Sequence, residues 1–375
     1  MRIIVAGSAT STHVDRWLRY LAGRGHEVSV FSPVGSSDLP GSVATHEIVG
    51  SRLPKAARYV LGSLQLSRQI RRTSPDVVHL QSIGANALLA PAVPPGKLVI
   101  SPWGSEIAAA TRNPVRRVIV RFALRRAALV LTTSRSMADA AVSEFGVARD
   151  RLAVSSWGVD TQLFRPSTAD GRRRLREAVG LPQNDTIVTA IRTTSETYRT
   201  RELLRAFAKG QRDGMHLVVN AGFTVGDWRR AAAQGRYRRE IQALARDLGP
   251  DRCTLIERTL PRKDYAALLS CTDVAVSIPA FDQRSSSVLE ALAAGTTVVG
   301  SAIDPYRELQ ADGFAIQLLP EPIEQSLTDW LQTGKQISTA ERAANIALIA
   351  ATESSDERYG VMEELIRRVA RPGGL

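Results

Sequence analysis

The 375-residue chain carries only two cysteines, Cys253 and Cys271. That count excludes a disulfide scaffold and fits two core thiols in a reducing compartment, although a single bond between the pair stays open. No apolar run approaches the ~20 residues that a membrane-spanning helix needs. The chain starts directly on Arg2-Ile3-Ile4-Val5-Ala6, a strand, with no charged n-region, apolar h-region or cleavage site. A cytoplasmic protein is the expectation. Aromatic residues make up 5% of the chain, and neither zinc-finger spacing nor an RNP aromatic pattern occurs. Nucleic acid is therefore the weakest explanation of the net charge of +12. The loop after the first strand lacks Gly-x-Gly-x-x-Gly, which disfavours an NAD-type site. With no Asp-x-Asp and no His/Cys cluster, no metal and no bound cofactor are expected.

What is present is ordinary globular composition, 44% apolar and 23% charged, at a length that suits two domains. The positive charge is mostly arginine. A basic composition throughout and an anionic membrane surface both account for it better than nucleic acid does. Short β-branched runs alternate with helix formers in both halves, which is the grammar of two Rossmann-like domains.

One stretch organises the second half: Ser277 to Ser301, SIPAFDQRSSSVLEALAAGTTVVGS. The run Val274–Ile278 reads as a strand, Val288–Ala294 as a helix, Gly295 as its stop, and Thr296–Val299 as the next strand. Ser285, Ser286 and Ser287 lead into the helix N-terminus, where free backbone N–H groups and the macrodipole favour an anion, and Arg284 adds a cation. Asp282 and Glu290 lie eight residues apart across this loop and helix. Glu290 also fits a capping box, Ser287-x-x-Glu290.

This Asp-x7-Glu followed by Ala-Leu-Ala-Ala-Gly-Thr-Thr-Val-Val resembles the Glu-x7-Glu signature of retaining GT-B glycosyltransferases, family 4 (glycosyl transferases group 1). The resemblance implies a first acid, Asp282, against the donor sugar and a second, Glu290, on the ribose hydroxyls. It extends along the chain. Asp76-Val77-Val78-His79 is similar to the family's Asp-(Ile/Val)-Val-His, with His79 read as structural because it lies inside the strand. Trp157-Gly158-Val159-Asp160-Thr161-Gln162-Leu163-Phe164-Arg165-Pro166 matches Asn-Gly-Val-Asp-x-x-x-Phe-x-Pro, with Trp157 for Asn. Arg192 matches the arginine that grips the donor diphosphate. The usual lysine has no counterpart, and Tyr198 or Arg199 lies nearest. Trp103 occupies the place of a donor-side histidine, while Gly104, Ser105 and Glu106 look like the rest of that motif.

The resemblance implies an α/β GT-B fold: two Rossmann-like domains facing a cleft, with a C-terminal helix crossing back to the first. The expected bounds are residues 1–166 for the N-terminal domain, 167–184 for a linker, 185–355 for the donor domain and 356–375 for the returning helix. It also implies a nucleotide-diphosphate sugar donor, of UDP or GDP type, with Asp282 and Arg192 at the reaction. Glu290, Arg199, Arg284 and Ser285–Ser287 would bind the donor. His13, at the start of the first helix, is either a helix-end imidazole or an acceptor contact beside Trp103, Gly104, Ser105 and Glu106. The acceptor is expected to be a saccharide, a lipid-linked saccharide or a small molecule. Arg116, Arg117, Arg121 and Arg125 form one basic helical face, either a solvated surface or an interfacial helix for anionic lipid. Two other readings stay open: a non-catalytic homologue that binds a partner, and a nucleotide-sugar epimerase on the same scaffold.

Overall fold

Short β-branched runs recur along the chain, and in the computed structural model most of them become strands buried between helices. The structure describes residues 1–35, 38–220 and 228–371. A glycine turn expected at Ala221-Gly222, after His216–Asn220, lies outside the described residues.

The chain divides into two compact units, Met1–Trp157 with Glu357–Leu375, and Gly158–Asp356. Unit 1 holds β1 (Arg2–Ala6), β2 (Glu27–Ser32), β3 (Val43–Glu47), β4 (Val77–Gln81), β5 (Leu98–Ser101), β6 (Leu129–Thr132) and β7 (Leu152–Val154), in the order β3-β2-β1-β4-β5-β6-β7. Unit 2 holds β8 (Thr186–Ala190), β9 (Met215–Asn220), β10 (Cys253–Ile256), β11 (Val274–Ser277), β12 (Thr297–Ser301) and β13 (Ile316–Leu319), in the order β10-β9-β8-β11-β12-β13. Every described pairing is parallel, with Ile4 opposite Ser29 on one side and Val78 on the other. Parallel strands need crossover helices on both faces, which is why the central strands read as unbroken apolar runs. In each sheet the strand order reverses once, between β1 and β4 and between β8 and β11. Loops leaving the carboxyl ends of those strands diverge there and open a crevice.

The returning helix, Ser355–Ala370, belongs mostly to unit 1. Tyr359, Met362 and Ile366 join Trp17, Leu18 and Leu21 in one core. Glu363 on the same helix is buried, accepting from Tyr20 Oη at 2.9 Å and lying 2.9 Å from His26 Nε2. Burial acts to raise its carboxyl, but the bonds to His26, Arg367 and Tyr20 win and hold it at about 2. At the start of unit 2, Gly158 turns at φ +66°. Val159 N–H then donates to Glu353 O at 2.7 Å, and Ser355 N–H to Val159 O at 2.8 Å.

Two segments differ from a reading by apolar pattern. β3, with sequence VATHE, is an edge strand with only Val43 buried. Residues 167–184 contain a helix, Ala169–Val179, which lies in unit 2. Its Arg176 is buried, donating to Asp273 Oδ2 at 2.7 Å and to the carbonyls of Gln183 and Asp185. His79 is fully enclosed: Trp17 Nε1 donates to its Nδ1 at 3.1 Å, and its Nε2 faces Ser101 Oγ at 2.7 Å. Burial pushes this imidazole down to about 3, so it is neutral and structural.

Candidate active site

In unit 2, the loops leaving β8 and β11 bring Arg192 and the Asp282–Ser287 segment together at the point of strand reversal. Arg192 Nη1 donates to Ser285 Oγ at 2.6 Å and approaches Ser287 Oγ at 3.4 Å. Its Nη2 donates to Tyr198 Oη at 2.7 Å and meets Asp282 Oδ1 at 3.2 Å. The guanidinium also lies 4.3 Å from the centre of the Tyr198 ring. Burial alone would ease the proton off, but Asp282, Tyr198 and Tyr306 reverse that and strengthen its hold. Arg192 is thus a permanent, half-buried cation. Its Nε–H has no protein partner, an open donor that is costly to bury unless something accepts from it.

Ser285 is the N-cap of the helix Ser286–Ala293 by backbone geometry, yet its hydroxyl serves Arg192 and caps no N–H. Because the cap is Ser285, the Ser287-x-x-Glu290 box does not form. Glu290 instead accepts from Arg262 Nη1 at 3.0 Å and is 5% exposed. Ser286 opens the helix, half-buried. Arg284 points elsewhere. Its guanidinium donates to Glu353 Oε1 at 2.6 Å and to Asp312 Oδ2 at 2.6 Å, so two carboxylates already match its charge. Arg199, in a left-handed conformation at φ +53°, pairs with Glu321 at 2.6 Å. The structure therefore gathers Arg192, Asp282, Ser285 and Ser287, and gives Arg284, Arg199 and Glu290 other partners.

Beside Arg192 lies a cavity of about 310 Å³ lined by Ile191, Thr193, Tyr198, Asn220, Thr259 and Tyr265 among others. Tyr265 Oη donates to Ile191 O at 3.2 Å, and burial raises the phenol above its ordinary range, so it stays protonated. No motif in the sequence marks Asn220, Thr259 or Tyr265. Asn220 ends β9 and Thr259 follows β10, so the rule that ligands gather at strand carboxyl ends was the available signal.

In unit 1, His13 sits on two indoles. Its ring centre is 5.2 Å from Trp157, stacked, and 5.6 Å from Trp103, edge-on. The two tryptophans that depart from the family pattern thus meet on one histidine. Gly104 adopts φ +96°, a turn that a side chain would strain. Glu106 Oε1 accepts from Trp103 N–H at 2.7 Å and Ile83 N–H at 2.9 Å, and Ser105 Oγ donates to its other oxygen at 3.2 Å. Glu106 clasps the loops after β4 and β5.

On the helix Pro114–Arg126, Val120, Ala123 and Leu124 face the core. Val115, Val118 and Phe122 point to solvent at 67, 68 and 50% exposure, spaced along one face among Arg116, Arg117, Arg121 and Arg125. Among the described residues, no helix is long and apolar enough to cross a membrane.

Comparison with known proteins adds a lineage. The family model Glycosyltransferase Family 4 matches residues 10–163, and Glycosyl transferases group 1 matches residues 171–343. A D-inositol 3-phosphate glycosyltransferase of Corynebacterium aurimucosum is 26% identical over 214 residues, covering 56% of this chain and 48% of that protein. A 2-deoxystreptamine glucosyltransferase of Streptomyces kanamyceticus is 25% identical, covering 51% and 47%. The chain spans about half the length of these curated relatives. Among solved structures, Anabaena HepE in complex with UDP and glucose superposes with a TM-score of 0.78 at 16% identity, covering 98% of this chain and 99% of that one. Sucrose-phosphate synthase from Thermosynechococcus elongatus gives the same score, identity and coverage.

Proposed function

We propose, from the premise that this chain belongs with the GT-B glycosyltransferases whose two family models match residues 10–163 and 171–343, that it transfers a sugar from a nucleotide-diphosphate sugar to an acceptor hydroxyl with retention of configuration. The observation that carries this reading is Arg192: a half-buried, permanently charged guanidinium beside a cavity, with a buried, unpartnered Nε–H and two serine hydroxyls at a helix N-terminus. That set suits diphosphate oxygens, whose charge grows as the leaving group departs. The nucleotide is of UDP or GDP type, with Glu290 on the ribose and Asp282 on the sugar hydroxyls. The leaving phosphate takes the acceptor's proton on the same face, so no protein base is needed. The acceptor is taken by unit 1 through His13, Trp103, Gly104 and Ser105, while Glu106 keeps their loop in place.

The test is thermal stability against UDP, GDP, ADP and TDP. One of UDP and GDP is expected to stabilise wild type, by ~2.7 kcal/mol at a hundredfold excess over Kd. Glu290→Gln, which keeps the side chain's shape beside Arg262, is expected to weaken that shift. No stabilisation by any of the four at millimolar concentration would leave a non-catalytic binding subunit as the better reading.

Two acceptor classes compete. Relatives named for D-inositol 3-phosphate and 2-deoxystreptamine favour a small ring polyol. The exposed Val115, Val118 and Phe122 among arginines favour a cell-surface saccharide or glycolipid met at an anionic membrane. In the second case the protein sediments with vesicles rich in phosphatidylglycerol and not with phosphatidylcholine alone. Arg121→Glu with Arg125→Glu then lowers that binding about tenfold or more. Equal sedimentation of wild type and the double variant would remove this helix as the contact, and sedimentation of neither would remove the membrane from the account.

A further inference from the structure

We infer that Tyr306 is a positioning residue for the Asp282 carboxylate, keeping it in place when Arg192 turns to a ligand's phosphates; this rests on the donor-site reading above. Tyr306 lies on the helix Asp304–Ala311 that follows β12 and is 0% exposed. Its ring fits against Gly300, where an added Cβ would come within 2.8 Å of Cδ2. The phenol donates to Asp282 Oδ2 at 2.9 Å and lies 2.7 Å from Ser277 Oγ at the end of β11. Since the phenol's single proton goes to the carboxylate, the serine hydroxyl donates to the phenol. Burial and the adjacent carboxylate raise the Tyr306 phenol well above its ordinary range, so it keeps the proton that it donates to Asp282.

The physical need is clear from the partners of Asp282. One oxygen faces Arg192 and the other faces Tyr306. A phosphate that draws the guanidinium away would leave a nearly buried carboxylate short of its cation, a costly state that favours movement or neutralisation. The phenol is an anchor that a phosphate does not compete for. A phenylalanine would fill this apolar niche equally well, so the hydroxyl has a reason to be there only through its bonds.

The experiment compares wild type, Tyr306→Phe, Ser277→Ala, Asp282→Asn and the Asp282→Asn/Tyr306→Phe double variant. The readout is hydrolytic release of UDP or GDP from the corresponding glucose or mannose nucleotide, with water taking the sugar in place of an added acceptor, alongside thermal shift by the free nucleotide. Tyr306→Phe is expected to keep nucleotide binding and KM within about twofold while kcat falls about tenfold or more. Loss of packing alone would not give that split. The double variant is expected to be no slower than Asp282→Asn, because residues acting through one group are not additive. Should Tyr306→Phe fold poorly, Ser277→Ala, which removes only the far hydroxyl, is expected to give a smaller fall in kcat with the same unchanged KM. A kcat for Tyr306→Phe within twofold of wild type, or a full multiplicative loss in the double variant, overturns the inference alone. If wild type neither binds nor turns over either nucleotide, the proposed function falls and the inference falls with it.

Discussion

Replacing Arg192 by methionine is expected to abolish nucleotide-dependent stabilisation and to lower turnover by about two to three orders of magnitude. Removal of one preorganised donor to a developing oxyanion costs about that much, and this guanidinium offers several N–H groups at once. A stability effect comes with it. Asp282, 8% exposed at its side chain, loses its cation, and breaking such a pair from one side costs about 3–5 kcal/mol. The two effects separate in a second variant. Arg192→Met with Asp282→Asn removes the orphaned charge, so most of the stability returns while nucleotide binding stays absent. Urea denaturation and calorimetric titration with UDP and GDP read the two quantities independently. If Arg192→Met still bound nucleotide like wild type, the diphosphate would lie elsewhere and the donor reading would fail at its centre.

The second large effect is expected at Gly158. Alanine there meets two obstacles: a positive φ of +66° and a Cβ only 2.5 Å from Ser355 Cα and 2.9 Å from Ser355 N. Both contacts are backbone, which cannot swing aside as a side chain would. The left-handed strain alone is worth about 1–2 kcal/mol. Displacing Ser355 also lengthens its hydrogen bond to Val159, so a total above about 3 kcal/mol is expected. Gly180 supplies the control. It turns at φ +71° with nothing within 4 Å of an added Cβ, so Gly180→Ala should cost only the strain. Urea midpoints of the two variants decide the matter, and equal losses would show that the crowding at Ser355 contributes nothing.

Much of the fold is legible from periodicity, because parallel strands covered on both faces leave unbroken apolar runs and glycine stops. β3 escapes this logic, since an edge strand with one buried residue carries no such run. The helix Ala169–Val179 escapes it too. Its anchor is a buried arginine, and Arg172-Arg173-Arg174 reads as solvated charge. At the candidate site, Arg192 and Asp282 come through the resemblance, and Ser285 and Ser287 through the helix N-terminus they lead into. Arg284 is not placed by it. Its partners, Glu353 and Asp312, lie 69 and 28 residues away, and nothing local announces them. The reading of Glu290 as a cap fails by two residues, because three serines in a row leave the helix start undetermined until Arg192 engages the first. Tyr306 is equally silent in sequence, its role fixed by a carboxylate 24 residues earlier.

The interleaving of the two units bears on how the protein is made. Unit 1 consists of Met1–Trp157 and Glu357–Leu375, so the ribosome must synthesise all of Gly158–Asp356 before Tyr359, Met362 and Ile366 exist to cover Trp17, Leu18 and Leu21. The strands made first therefore wait longest for their lid, with an apolar face open to chaperones throughout. Gly158–Asp356, by contrast, is one unbroken segment, free to close on itself while its host remains unfinished.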